Sequence, residues 1–323
     1  MRFKKTKRRM RGGDRVKLDP SRNVRTRKAQ CHPAVKDQVT ATDQSCLTPD
    51  VVKRIAKSYN HKHPHDKVDE HTQNSAQLWM QLQERMRNKC RTERCWVKEL
   101  PEGEREHVER KSFVPEKPKE WKTDPDAWLS NIDIEKVLKQ YEEKTPTFKF
   151  LGPAPIDFDK FIGPAHQQTC VQNSLCRFQI SQYLDKGIKK IGIVFNTDPH
   201  TKGGSHWISL FIDLEDHFMM FFDSTGDAMP PEVKKFMLRV QRQALKRGIR
   251  LKTFSNYKVE HQQGNTECGM YSLFFIITML VGRTEFHPQQ MNAKEKLELF
   301  LKEFEIPDGY VQKYRDVFFD GGE

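Results

Sequence analysis

HWISLFIDLEDHFMMFFDS, residues 206–224, is the stretch on which the fold turns. Two apolar runs flank a polar step at 214–216, which predicts an antiparallel hairpin. A two-residue turn at Leu214-Glu215 sets Asp213 opposite Asp216 and His206 opposite Asp223. Directly opposed residues share a face, with Cβ atoms about 5 Å apart. Asp223 then orients the imidazole through Nδ1–H, and Nε2 is free to act as a base. A strand histidine by itself is usually structural, so the pair needs a third member. Outward from the hairpin, further strands are expected at 190–196 and 249–254. Helices are expected after Asn131 (Ile134, Val137, Leu138, Tyr141), over 231–247, and over the apolar run 268–280, which is too long for a strand. Strands mixed with helices at both ends predict an α+β domain.

The third member is Cys268, in HQQGNTECGMYSLFFIITML (261–280), between a polar loop and the start of an apolar helix. The positive end of a helix dipole favours thiolate there. Its unpaired N–H groups can face a developing oxyanion. Gly269 allows close backbone approach, and Gln262, six residues before Cys268, offers an amide donor to the same oxyanion. Gln263 is the alternative donor, one residue along the loop. Without His206 and Asp223, the cysteine reads as an ordinary buried thiol.

The rest of the 323 residues is polar, with 31% charged and 36% hydrophobic side chains. Of the net charge of +12, residues 1–30 contribute thirteen Lys or Arg against Asp14 and Asp19, while residues 31–323 sum to about +1. Residues 1–30 are therefore expected to be a disordered basic tail, a sequence-independent handle for nucleic acid. Residues 31–98 are expected to form a helical arm. Pro49 lies in the first turn of one helix, after Ser45 or Thr48 as cap, and Leu78, Trp79, Leu82 and Met86 stripe a second. The Glu-, Lys-, Arg- and Pro-rich residues 99–120 read as a linker, and 121–323 as the compact domain. Seven cysteines, an odd number, predict free thiols in a reducing compartment. Two sets of residues could ligate zinc, Cys31-His32 with Cys46, Cys90 and Cys95, and His61, His63 and His65. Their spacing is loose, and neither a metal nor a cofactor is expected. No membrane-spanning run or secretory signal is read.

The order His206, Asp223, Gln262, Cys268 (HW…D…Q-x5-C-G) resembles the ubiquitin-like-protein (SUMO) protease family and the related adenovirus-type cysteine proteases. WLSNIDI, Trp128–Ile134, is similar to that family's W-L-N-D-x-x-I entry motif, with Ser130 and Asn131 departing from it. The resemblance covers about 121–318. It implies a papain-like-clan domain, a central sheet flanked by helices, with Cys268 as nucleophile, His206 as base, Asp223 as orienting acid and Gln262 as oxyanion donor. It further implies that Trp128 and Trp207 clamp a Gly-Gly segment of a protein substrate. The domain is similar to versions in large DNA viruses, which implies cleavage after Gly-Gly in core or capsid precursors during virion maturation. The expected location is then the virion and host cytoplasm. A SUMO or ubiquitin-like deconjugating protease is the alternative, and a catalytically silent nucleic-acid-binding virion protein a further one.

Overall fold

The structure, a computed structural model, describes residues 30–164, 167–284, 288–302 and 306–321. The expectation for the basic tail falls, but for Gln30, outside the described residues.

The N-terminal arm is helical, as its periodicity predicts. Thr48 caps α1 (Pro49–Lys62) by accepting from Val51 N–H, and Val51, Val52, Ile55 and Tyr59 turn inward. In α2 (Ser75–Met86) the stripe Leu78, Trp79, Leu82 and Met86 is buried. After the short α3 (Glu93–Trp96), the expected linker is instead α4 (Glu102–Ser112). Its charges are those a helix dipole favours, Glu102 and Glu104 in the first turn and Arg110 and Lys111 in the last. Val108 and Phe113 close the same apolar core as Cys31, Leu47 and Trp96. The arm therefore extends to about residue 113, and a charge run that read as solvated chain is one face of a packed helix.

The cysteines also depart from expectation. Six of the seven form disulfides, Cys31–Cys46, Cys90–Cys95 and Cys170–Cys176. Partners lie 15, 5 and 6 residues apart in sequence, so an odd total concealed three local pairs and one free thiol, Cys268. The same pairing takes Cys31, Cys46, Cys90 and Cys95 out of the zinc set.

The body begins with α5 (Asn131–Lys144), entered through a capping box in which Ser130 and Asp133 each accept from the other's backbone N–H. There follow β1 (Phe148–Phe150), β2 (Ala154–Pro155), a small ribbon of β3 (Phe161–Ile162) and β4 (Thr169–Cys170), and the short α6 (Asn173–Cys176) and α7 (Ile180–Leu184). The central strands are β5 (Lys190–Asn196), β6 (Trp207–Asp213) and β7 (Phe218–Phe222). Then come α8 (Pro231–Lys246), β8 (Lys252–Ser255), α9 (Cys268–Val281), α10 (Ala293–Leu301), α11 (Asp308–Gln312) and α12 (Arg315–Phe318).

The sheet runs β1-β5-β6-β7-β8, with β2 also on β5. The β5–β6–β7 meander is antiparallel, and β1 and β8 join it in parallel. Because both faces are covered, β6 and β7 are buried along their whole length and read as nearly continuous apolar runs, interrupted in β6 only by Ser209 before Asp213 ends it. Ile208, Leu210, Ile212, Met219 and Phe221 meet α8 on one face, and Phe211, Phe218, Met220 and Phe222 meet α9 on the other. A Cβ at Gly192 would lie 2.9 Å from Ile276 Cγ2, so this glycine lets α9 settle onto β5. Among the described residues no helix is long and apolar enough to cross a membrane.

The arm is fastened to the body at several points. Gln140 on α5 donates to Phe113 O (2.8 Å), Arg94 pairs with Asp320 (2.9 Å), and the main chain on either side of Glu116 bonds that of Asp320, Lys117 N–H donating to Asp320 O (2.9 Å) and Asp320 N–H to Pro115 O (2.8 Å).

Candidate active site

His206 stands one residue before β6 and Asp223 one residue after β7, so the hairpin carries both to one end of the sheet. The turn differs from expectation. Asp213 pairs with Phe218, around a four-residue turn at 214–217. The Asp213 carboxylate accepts from the N–H groups of Glu215 (3.1 Å) and Asp216 (2.8 Å), and His217 closes the turn at φ 57°. Each partner thus moves by two residues, which preserves every side chain's face. His206 and Asp223 become diagonal rather than directly opposed, and they still meet, Nε2 to Oδ1 at 2.7 Å. The nitrogen is not the one expected. A diagonal pair is separated by about 7–8 Å rather than about 5 Å, and the ring spans the extra distance with its far atom. Nδ1 is left for a second partner, and Cys268 is the other group that acts on this ring and raises its pKa.

Asp223 is 3% exposed and firmly held. Its Oδ1 also accepts from Thr225 N–H (3.0 Å) and Thr225 Oγ1 (2.8 Å). Its main chain is clasped by the fully buried Asn256, which accepts from Asp223 N–H (2.9 Å) and donates to Asp223 O. Burial alone would raise the carboxyl pKa, but the hydrogen bond and charge of His206, helped by Thr225, hold it below the usual carboxylate range. For His206, burial disfavours the charged ring, yet hydrogen bonds and charge from Asp223 and Cys268 outweigh it and raise the pKa to about 10.

Cys268 is the first residue of α9 and 2% exposed. Just before it, Glu267 is buried against Arg315 (2.8 Å), whose guanidinium lies 4.3 Å from the Trp121 ring centroid. The loop feeding Cys268 is pinned throughout. His261 contacts Phe300 O and accepts from Ile306 N–H, and Asp308 accepts from Gly264 N–H (2.7 Å) and Gln263 N–H. Gln262 is buried, its Oε1 accepting from Ser224 Oγ (2.8 Å) and its Nε2 donating to Gly264 O (2.9 Å). Gln263 points to solvent. Of the two candidate donors, Gln262 is therefore the fixed one, with a second amide hydrogen to offer.

A groove of about 910 Å³ has His206 in its lining, together with Trp128, Leu129, Trp207, Lys119, Asp133 and His200. Trp128 is 48% exposed, whereas Trp207 is 9% exposed, with Nε1 donating to Leu129 O (3.0 Å). A Cβ at Gly269 would come within 3.1 Å of Leu129 Cβ and 3.3 Å of Trp207 Cδ1, so the helix start is packed directly under this wall. Among the described residues no cluster of three or more His, Cys, Asp or Glu is arranged to hold a metal ion.

Sequence reading missed Thr225, Asn256, Ser224, Asp308, and the Glu267–Arg315 pair. Only Ser224 and Thr225 carry a local signal, polar residues directly after Asp223. The others act across 33 to 48 residues of chain.

Comparison with known proteins agrees with this geometry. Residues 168–307 match the family described as Ulp1 protease family, C-terminal catalytic domain. A thiol protease of Acanthamoeba polyphaga mimivirus is 34% identical over 159 residues, 48% of this chain and 48% of that protein. The SUMO-1 cysteine protease of African swine fever virus is 31% identical over 176 residues, 52% of this chain and 64% of that protein. The chain thus spans between about half and just under two thirds of these curated relatives. The crystal structure of the African swine fever virus protease superposes with a TM-score of 0.56 at 21% identity, covering 93% of this chain and 96% of that one. At that identity the likeness is one of fold, and it takes in the N-terminal helices as well as the body. The matched segment contains His206, Asp223, Gln262 and Cys268 in order, so the C-terminal part of this chain is similar to the catalytic domain of the Ulp1 protease family.

Proposed function

We propose that the protein is a cysteine endopeptidase that cleaves after Gly-Gly in structural precursor proteins of a large DNA virus. The observation that carries the chemistry is the 2.7 Å His206–Asp223 contact, on a ring whose pKa is also raised by Cys268 at the start of α9. His206 accepts the thiol proton, and the sulfur attacks the scissile carbonyl. The oxyanion is met by unpaired N–H groups of the first turn of α9 and by the Gln262 amide. The imidazolium, kept charged by Asp223, then donates its proton to the leaving amine. Water hydrolyses the thioester with His206 as base. Trp128 and Trp207 would flank the residues before the scissile bond and leave room for glycine alone.

The viral part of the proposal is supported by the names of the mimivirus and African swine fever virus relatives, and the location follows from it, in the virion and host cytoplasm. The basic tail would hold nucleic acid there. A deconjugating protease is the second reading, favoured by the name SUMO-1 cysteine protease borne by the swine fever virus relative. A Gly-Gly-X peptide library tests the specificity, with a recombinant viral precursor set against a SUMO fusion to separate the two substrates. Cys268→Ala should abolish hydrolysis, and full activity in that variant would refute the proposal.

A further inference from the structure

The folded body carries its own concentration of positive charge, remote from the groove. Residues 231–252, α8 and the turn into β8, contain eight Lys or Arg and a single acid, Glu232. The rest of 31–323 holds 35 Lys or Arg against 41 acids, so the near-neutral sum of the body conceals a local excess of positive charge in this segment. Two of the eight cations are spoken for, Arg239 by Asp159 (3.0 Å to each oxygen) and Arg247 by Asp185 (2.9 Å). Lys234, Lys235, Arg242, Lys246 and Arg250 are exposed, and among the described residues none has a carboxylate within ion-pair distance.

Helical geometry explains why these charges share one face. Val233, Phe236, Met237, Val240 and Ala244 are buried against the sheet. At 100° per residue, Lys234, Lys235, Leu238, Arg242, Leu245 and Lys246 fall together on the opposite side. From Lys234 to Lys246 the row is about 18 Å long at 1.5 Å per residue. Ordinary surfaces intersperse both signs, and a solvated face has no need of a single one. This face also lies across the sheet from α9 and Cys268.

We propose that the outer face of α8 is a binding surface for the phosphate backbone of nucleic acid, separate from both the active site and the basic tail. About 18 Å of duplex presents roughly ten phosphates, at one charge per 1.7 Å of axis, which is ample for four or five side chains on one side. A lipid surface fits less well. An interfacial helix inserts a continuous apolar face, and that of α8 is used against the sheet, leaving only Leu238 and Leu245 exposed, at 50% and 60%.

The test compares the full chain with its Lys234→Gln/Lys235→Gln/Arg242→Gln/Lys246→Gln variant, by fluorescence anisotropy on a short labelled duplex across a salt series. Glutamine retains helix propensity, and all four positions are exposed. A smaller Lys234→Gln/Arg242→Gln variant covers the case in which the fourfold change disturbs folding. The tail is common to all three proteins. The expected result is a log–log salt slope shallower by about 3 to 4 in the fourfold variant and by about 2 in the double variant, at 0.9 per phosphate contact. Melting temperature and peptide hydrolysis should not change. An unchanged slope and affinity would overturn the proposal. So would binding to phosphatidylserine vesicles that exceeds duplex binding and is lost in Leu238→Gln/Leu245→Gln, since the surface would then read lipid.

Discussion

Mild acid should weaken the docking of the arm through one residue, His32. It is 1% exposed, its N–H donates to Ser112 O (2.9 Å), and its Nδ1 accepts from Ala34 N–H (3.0 Å). The neutral ring therefore carries its hydrogen on Nε2, which faces Glu143 of α5 at 3.6 Å. Burial drives the pKa down to about 4, and nearby Lys111, Arg110 and Lys144 add to this, while Glu143 opposes it. Between the ordinary 6.5 and about 4 the unfolded chain takes up a proton that the folded one refuses, so stability falls as pH falls through that window. The whole shift is worth about 3 kcal/mol, and about 2 kcal/mol of it is lost by pH 5. His206 has the opposite sign. Its raised pKa contributes stability below 6.5 that is lost as pH rises towards about 10. The clean measurement is therefore a difference: urea unfolding of wild type and His32→Asn at pH 7.5 and pH 5, followed through the arm tryptophans Trp79 and Trp96. Asparagine retains an acceptor for Ala34 N–H, does not titrate, and leaves His206 common to both proteins. The stability of wild type relative to the variant should drop by about 2 kcal/mol on going to pH 5. A difference that does not vary with pH would refute the reasoning.

Three further outcomes concern the site. Gln262→Ala should lower single-turnover acylation by roughly 10²-fold, whereas Gln263→Ala, altering an exposed side chain, should stay near wild type; the reverse order would reassign the donor. Asp308→Ala frees Gly264 N–H and Gln263 N–H and so loosens the loop that carries Gln262. Steady-state kinetics should show kcat falling with KM little changed, and an unaltered kcat would mean that the loop holds its shape without Asp308. Asp223→Asn removes the charge that raises the His206 pKa and leaves its burial in place, so partial activity should remain and the alkaline limb of the pH–rate profile should move to lower pH. A limb that stays in place would mean that another group titrates there.

The elements that sequence reading placed well are those whose apolar pattern is set by a single face or by burial on all sides. The stripe of α2, the two-faced burial of β6 and β7, and the buried, largely apolar α9 are all legible this way, because local spacing and final environment agree. Reading failed where a segment's role depends on distant partners. α4 has few apolar residues of its own, and its place in the arm core rests on Phe113 and Val108 meeting Cys31 and Leu47 across the chain. The disulfides failed for the opposite reason. Their partners are close in sequence, but an odd total gave no indication of which thiol stands apart.

For the candidate site, sequence brings the right residues together but not in the right geometry. Residue type and order identify Cys268, His206 and Asp223, since a helix start and two strand ends can be recognised from pattern. Turn length cannot be read that way. It is decided by Asp213 accepting two backbone N–H groups, and this determines whether His206 meets Asp223 directly or diagonally. The consequence is confined to the choice of ring nitrogen, because a shift of two residues returns every side chain to its own face. A shift of one would have sent His206 and Asp223 to opposite faces, one towards α8 and the other towards α9, and no rotamer could have restored the contact. The hairpin therefore tolerates the uncertainty that sequence leaves in its turn only in even steps. The side chains that hold the outcome in place, Asn256 on the Asp223 main chain and Asp308 on the Gln262 loop, come from segments far along the chain and are fixed only once the fold has closed.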